Sequence, residues 1–212
     1  MANTSFYNRP LHSSLTLISP PAVEPVSLAE AKLWAKIEFD DDDDLINSLI
    51  TTAREYAETY TKRQFITATW QMTLDQFPVL GPQWSIIGAP ILLPYPKLQS
   101  VGTITYTDMA GDVQTLDPSL YLVDTDSMPG RIVRAYAQPW PVIRPIPQSV
   151  KIPFTAGYGD SPDDVPAKLK TAIKLLVNHW YKNRDAVTSY SSAPLPLAVE
   201  TLLTAESYGY YS

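Results

Sequence analysis

Apolar positions follow two different periods along the chain. From Leu45 to Tyr60, and again from Leu169 to Trp180, they recur at intervals of three and four residues, which is typical of helices buried along one side. Between Phe65 and Phe154 the pattern changes to short segments of alternating character, which predict strands. The chain is therefore predicted to be helical at both ends and β-rich in the middle.

Capping signals and prolines set the expected helix limits. Ser27 and Glu30 have the spacing of a capping box, and Pro166 suits the first turn of a helix. The run of aspartates at 40–44 puts negative charge at a helix start, where it complements the helix dipole. Four helices are predicted: about 27–37, from this acidic run to about Lys62, from Asp164 or Val165 to about Arg184, and from Leu195 to near Leu203.

The strand-rich block is divided by turn residues. Asp108 to Asp112 and Met128 to Gly130 carry turn signals, and prolines cannot donate to a strand ladder, so the prolines of this block are expected at strand ends or sheet edges. The predicted strands are 66–74, 85–93, 101–106, 113–116, 121–124, 131–136 and 150–154, with one more at 15–18. The prolines concerned are Pro90, Pro94, Pro96 and Pro153.

These elements define an α+β fold, a small helical bundle formed by the N- and C-terminal helices with an inserted β-sheet block. The terminal helices are expected to pack together, because each has an apolar stripe that needs a partner. The predicted divisions are an extended N-terminal arm at 1–26, a bundle at 27–64 plus 160–204, a β-rich insert at 65–159 and a C-terminal tail at 205–212.

Composition narrows the class of protein. With 212 residues and 45% hydrophobic content the chain can bury a real core, and no stretch is long and apolar enough for a secretory signal or a membrane span, so a soluble protein is expected. The absence of cysteine excludes disulfides and thiolate chemistry and is compatible with a reducing cytosol. A net charge of -6 argues against binding to duplex DNA, yet suits a conduit through which DNA slides without sticking.

Candidate catalytic and metal chemistry is sparse. The five aspartates lack EF-hand spacing and are interpreted as a solvated helix start. His12 and His179 are the only histidines, and no Gly-x-Ser-x-Gly motif accompanies them, so a Ser-His-Asp triad is not expected. Gly157-Tyr158-Gly159 is interpreted as a turn and not a phosphate loop. The sequence predicts no enzyme, no metal and no cofactor.

Several motifs, taken in order, resemble those of phage head-tail connector proteins, in the longer branch that carries a β insert. The resemblance extends from Pro25 to Leu203. Its motifs are 25–32 (PVSLAEAK), 40–46 (DDDDDLI), 53–60 (AREYAETY), 69–71 (TWQ), 75–78 (DQFP), 98–101 (LQSV), 155–159 (TAGYG), 165–166 (VP), 179–184 (HWYKNR) and 195–203 (LPLAVETLL).

The resemblance implies a structural adaptor that forms a homo-oligomeric ring of about a dozen copies in the virion neck. There it would extend the DNA channel between the portal protein and a stopper or tail terminator protein, after assembly in the host cytoplasm and with no membrane contact. It also implies that the C-terminal segment engages the portal. The hypothetical docking residues are Leu195, Pro196, Leu197, Val199, Leu202, Leu203, Tyr208, Tyr210 and Tyr211, with the tail tyrosines ordered only on binding.

Opposite charges on two helices suggest how neighbouring copies could set their register. The third helix is basic around its polar side, and we hypothesise that it meets the acidic run of the next subunit. The residues in this inter-subunit hypothesis are Asp40, Asp41, Asp42, Asp43 and Asp44 on one side and Lys168, Lys170 and Lys174 on the other.

The residues leave two alternative functions open. A carbohydrate-binding β module of a virion would place Trp70, Trp84 and Trp140 on one exposed face, although most aromatic side chains are expected in cores and interfaces. A tail-completion or stopper protein of the same neck would differ only in its neighbours.

Overall fold

The computed structural model describes residues 13–78, 89–183 and 197–208 and divides into two compact units. The β unit comprises residues 13–20 and 68–156, and the helical unit comprises the described residues of 21–67 and 157–208. The fold is α+β, as the sequence predicted.

The helical unit contains four helices whose limits agree closely with the capping signals. They are α1 (Leu28–Ala35), α2 (Asp43–Thr61), α3 (Ala167–Lys182) and α4 (Leu197–Thr204). The Ser27 hydroxyl accepts the Glu30 N–H, and the Glu30 carboxylate accepts the Ser27 N–H, which completes the predicted capping box. Pro166 lies at the N-cap of α3 and not inside its first turn, because a short 3-10 turn, Pro162–Asp164, precedes it.

The helices from both ends of the chain share one core. Helix α2 packs against α3, and α1 and α4 each contact both of these helices. Most of the periodic residues of α2 and α3 are buried together with Phe65 and Ile66, which follow α2, whereas Leu45 and Tyr60 at the ends of the α2 stripe are exposed. The two terminal pairs therefore close on each other, as their unmatched apolar stripes predicted.

The β unit contains nine strands in two sheets. The larger has the order β1-β2-β9-β5-β6, with β4 also paired to β9, and the smaller has the order β3-β8-β7. The strands are β1 (Ser13–Ser19), β2 (Ala68–Leu74), β3 (Ile91–Leu92), β4 (Leu98–Val101), β5 (Thr105–Thr107), β6 (Val113–Thr115), β7 (Tyr121–Asp124), β8 (Arg131–Arg134) and β9 (Val150–Ala156). One apolar cluster, which includes Ile132 and Phe154, joins residues of both sheets.

The strand predicted at 101–106 is two strands, and Pro153 lies inside a central strand, where the sequence had placed it at an end or edge. The carbonyl of Pro153 accepts a hydrogen bond from the Gly102 N–H at 2.8 Å. Gly102 lies in the gap between β4 and β5, so the strand ladder is interrupted opposite Pro153. Proline has no N–H to donate, and because of this interruption no carbonyl of the neighbouring chain depends on it for a donor.

Within the predicted N-terminal arm, Ser13–Ser19 form a strand of the chain's own sheet. β1 pairs antiparallel with β2 from Ser13 opposite Leu74 to Ser19 opposite Thr69. The sequence showed the strand at 15–18 but not its partner, because an alternating segment carries no record of which edge it joins.

Gly157 is required where the chain leaves the β unit. Its φ is +139°, and an added Cβ would lie 2.7 Å from the Thr67 backbone nitrogen. We expect Gly157→Ala to lower the free energy of unfolding by about 2 kcal/mol, because it adds backbone strain to a backbone clash. Urea denaturation checks this. Gly102→Ala is the comparison, since its Cβ would lie 3.1 Å from the Pro153 ring and no closer than 3.5 Å to the Pro153 backbone; an equal loss for both variants would contradict the backbone argument.

The β7–β8 turn carries a carboxylate that titrates unusually low. Hydrogen bonds from the Ser127 hydroxyl and N–H, with one from Arg131 Nε, lower the pKa of Asp124 to about 2. A depressed folded-state pKa adds stability above the unfolded pKa, and this stability is lost as the pH falls toward the folded value.

The thermal midpoint of the native chain should therefore fall more steeply between pH 4 and about 2 than that of Asp124→Asn. Scanning calorimetry across this window measures both slopes. Asp126→Asn in the same turn is the matched control and should keep the native slope; parallel curves for the native chain and Asp124→Asn would contradict the assignment.

Candidate interaction surfaces

The acidic run at the start of α2 is largely engaged within its own chain. Lys32 Nζ lies 2.6 Å from carboxylate oxygens of both Asp40 and Asp43. The Tyr181 hydroxyl donates to Asp42 Oδ2 at 2.6 Å, which ties α3 to the same corner. Hydrogen bonding to Lys32 lowers the pKa of Asp40, and the two carboxylates raise the pKa of Lys32.

The basic residues of α3 also have partners nearby. Lys168 pairs with Glu206 at 3.3 Å and Lys170 with Asp163 at 3.8 Å, while Lys174 Nζ lies 5.2 Å from the centre of the Trp34 ring. The spacing of charges in the sequence showed two complementary patches but not these local contacts. Within the described ranges, Asp41 and Asp44 form no ion pair.

The C-terminal docking residues separate into a buried and an exposed group. Val199 and Leu203 are completely buried in the helical core, so they hold α4 in place and do not face a partner. Leu197 is 77% exposed and Leu202 is partly buried. Leu195, Pro196, Tyr210 and Tyr211 lie outside the described residues.

The tail is held as far as Tyr208, although the sequence predicted that its tyrosines would be ordered only on binding. The Tyr208 N–H donates to the Thr61 carbonyl at 3.0 Å, and Arg63 Nε donates to the Glu206 carbonyl. These bonds satisfy carbonyls that the ends of α2 and α4 leave free. The sequence gave no sign of them, because backbone acceptors are not visible in residue types.

A buried ion network at the end of α2 was also missed. Arg54 and Glu58 are both buried, and Arg54 Nη1 lies 2.7 Å from Glu58 Oε2 while Arg54 Nε lies 2.8 Å from Glu24 Oε2. The other oxygen of Glu58 accepts bonds from the Gln64 amide and the Phe65 N–H. The (i, i+4) spacing of Arg54 and Glu58 was the available signal, but exposed pairs share that spacing.

The electrostatics of this network favour a stable arginine charge. Burial raises the pKa of Glu58, against the Phe65 N–H and Arg54, which act to lower it. For Arg54 burial acts to lower the pKa, but Glu58 and Glu24 outweigh it and the pKa is raised. The network has few exposed atoms and is a structural site, not a reactive one.

Exposed apolar side chains mark two surfaces that sequence periodicity did not single out. The first lies on α1 and the loop after it, where Leu33 is 82% exposed and Trp34 and Phe39 are also exposed. The second is β1, where Leu15, Leu17 and Ile18 are exposed. Patches of this kind on a folded protein are typical of interaction surfaces.

The described residues do not bring together the tryptophans that a carbohydrate-binding module would use or the histidines that an enzyme would use. Trp70 packs against Tyr95 with ring centroids 4.6 Å apart, and Trp140 stacks on Phe77 at 4.7 Å, so neither ring is presented on an open face; Trp84 lies outside the described residues. His179 contacts Asn183, and His12 also lies outside the described part of the chain.

The described ranges contain no cluster of three or more potential metal ligands. They also contain no helix that is long and apolar enough to cross a membrane.

Comparison with known structures defines the class of this fold. Over 92% of this chain and 95% of the other, it resembles a chain in the neck of an empty gene transfer agent particle computed with C6 symmetry, with a TM-score of 0.71 and 20% identity. A chain in the virion of a native gene transfer agent particle gives 0.67 and 22%, covering 91% of this chain and 94% of that one. A chain in the native neck computed with C12 symmetry gives 0.61 and 20%, with the same coverage. These likenesses show a shared fold.

The family comparison identifies the helical start of the chain. Residues 25–81 match the Phage gp6-like head-tail connector protein family, a stretch that contains α1, α2 and β2. The resemblance to head-tail connectors drawn from the sequence is thereby confirmed for this region, and the matched family is a structural one. A search of curated proteins gives no match.

The ion network generates a stability prediction. Glu58→Gln should lower the free energy of unfolding by about 3 kcal/mol, toward the lower end of the loss when one partner of a buried ion pair is removed. Glutamine has an NH2 group in place of one carboxylate oxygen, so a donor would face either Arg54 or the Gln64 and Phe65 donors, and the negative charge that pairs with Arg54 is lost. Urea denaturation measures the loss.

Glu55→Gln is the matched control. Its carboxylate lies 3.6 Å from Arg54 Nη2 but is 65% exposed, so the change should stay within about 0.5 kcal/mol. Equal losses for the two variants would show that burial of Glu58 does not set its contribution.

Proposed function

We propose that this chain is a structural head-to-tail connector that forms a ring in the neck of a long-tailed phage or phage-like particle. The observation that carries the proposal is that a head-tail connector family match at 25–81 is combined with a neck-protein fold over more than nine-tenths of the chain. In this role the protein performs no catalysis, and its functional residues are those that touch other subunits.

The proposed assembly is a homododecamer bound to the portal protein on one side and to a stopper or tail terminator on the other. The C12 symmetry of one neck with this fold supports a ring of about twelve copies. The ring would extend the channel for DNA, and the excess of negative charge would let DNA pass without sequence-specific binding. Assembly takes place in the host cytoplasm.

The charge distribution narrows how copies could set their register. The described helical unit has 15 acidic and 9 basic side chains, whereas the described β unit has 6 and 5, so six of the seven excess acids among the described residues lie in the helical unit. Opposite charges remain for a contact between copies. Asp41 and Asp44 of one copy could attract Lys168 of the next copy, whose side chain is 62% exposed.

Portal docking is assigned to the exposed side of α4. Of the described residues proposed for docking, Leu197 is the most exposed, and Leu202 adds a partly buried contact beside it. An apolar residue at the centre of an interface typically contributes more than its polar surroundings.

Native mass spectrometry of the full chain, with and without a portal ring purified from the same particle, tests the function. The connector proposal predicts a portal-dependent complex of about twelve copies. A chain that stays monomeric and ignores the portal would overturn it, and a chain that binds only the tail-side ring would identify a stopper.

Leu197→Asp should weaken that complex by on the order of tenfold or more, because it puts a charge into an apolar contact. Ala198→Asp is the matched control, with the same new charge on the neighbouring exposed position of α4. If the two variants bind the portal equally, Leu197 is not a docking residue.

A further inference from the structure

The strand β1 is an open edge of the larger sheet. Among the described residues it pairs with β2 only, and all seven of its residues are exposed. Its sequence, SSLTLIS, has no charged residue and no proline. Natural proteins usually protect such an edge with charges, prolines or bulges, because its unpaired N–H and C=O groups can pair with another chain. Here a single irregularity, between Leu17 and Ser19, is the only such device.

The apolar face of the sheet also continues onto β1. Leu15 stands opposite Met72 and Leu17 opposite Trp70, so their side chains share the face that carries the buried cluster. Leu15 and Leu17 nevertheless remain 39% and 42% exposed. The core side of the sheet therefore ends on leucines that are only partly covered, next to a backbone edge for which the described part of the chain supplies no partner strand.

The opposite end of the same sheet offers a second open edge. In the ranges that the structure describes, β6 (Val113–Thr115) pairs with β5 only, its three residues are exposed and uncharged, and Val113 is 72% exposed. The smaller sheet is a weaker candidate, since β3 has two residues and β7 ends on Asp124, whose carboxylate is bound to Ser127 and Arg131.

Charge argues that the occupant of β1 is a second copy meeting it through the β unit. Two copies of this acidic chain repel each other most where their helical units approach, because six of the seven excess acids among the described residues lie there. The β unit is nearly neutral, and β1 and β6 are uncharged. A ring also requires two different surfaces on each subunit, one for each neighbour, which the two ends of one sheet supply.

We propose that β1 of one copy pairs with β6 of a second copy, so that the sheet continues from subunit to subunit. This inference rests on the proposed ring. Main-chain hydrogen bonds supply the pairing, and Leu15 and Leu17 gain cover from the neighbour.

Cross-linking of engineered thiols tests the pairing. The chain has no cysteine, so Thr16→Cys combined with Gln114→Cys gives one thiol on each edge. A short bismaleimide bridges neighbouring strands despite a register error of one residue. It cannot join the two sites within one chain, because four strand spacings, about 19 Å, separate β1 from β6.

The double variant should give a ladder of dimers, trimers and larger species, in the full chain alone at high concentration and in the portal complex. Each single variant should give only the uncross-linked chain on a denaturing gel. Dimers from Thr16→Cys alone would indicate β1 pairing with β1 and overturn the proposal, as would a double variant that gives no ladder. A portal-bound ring without a ladder would overturn only the edge pairing, whereas no ring and no ladder would overturn both it and the proposed function.

A charged edge provides an independent measurement. Thr16→Lys should raise the concentration needed for assembly by on the order of tenfold, because a lysine on an edge strand opposes pairing. Leu122→Lys, on the exposed edge strand β7 of the smaller sheet, is the matched control and should assemble normally. Equal assembly of both variants with the native chain would contradict the proposal.

Discussion

The fold depends on the place where the chain enters and leaves the β unit. Glu58, buried near the end of α2, binds the Gln64 amide and the Phe65 N–H and so directs the chain as it leaves the helix. The Phe65 carbonyl then accepts the Tyr158 N–H, and the Thr67 N–H donates to the Gly159 carbonyl. The outgoing and returning segments are thereby joined side by side. An insert of nearly ninety residues (68–156) can be accommodated within a helical bundle because its two ends are fixed together, which removes most of the entropy cost of closing so long a loop.

The sequence predicted the helices much better than the sheet connections, for a physical reason. A helix is defined by local periodicity and local caps, and Ser27 with Glu30 shows both in the residue types. Sheet order depends on partners distant in the sequence, so neither the pairing of β1 with β2 nor the break between β4 and β5 could be read from it. Pro153 shows the limit of a positional rule: a proline fits a central strand wherever the neighbouring ladder is interrupted opposite it.

The sequence showed which residues make up the candidate surfaces, but not which of them can contact another subunit. The acidic run and the basic face of α3 are both present, yet Lys32, Tyr181 and Glu206 already occupy several of their members. Charged residues close in space on one chain satisfy each other before a second chain arrives, so the charges that can set register between subunits are those left over. In the same way, the sequence suggested Val199 and Leu203 as portal-docking residues. Both are completely buried in the core of their own helical unit, so they hold α4 in place.

The open strand edges lie in the β unit and most of the acidic excess lies in the helical unit, which suggests different roles for the two units in assembly. Exposed apolar strands are hazardous for a free protein, since open edges promote aggregation, and a lysine would remove the hazard at little cost. Their retention beside a nearly neutral surface is understandable if assembly uses them. The acidic excess, which lies almost entirely in the helical unit, would then keep free copies apart in solution by electrostatic repulsion, and added salt screens this repulsion. Higher salt should accordingly favour assembly, whereas a ring held mainly by ion pairs would weaken.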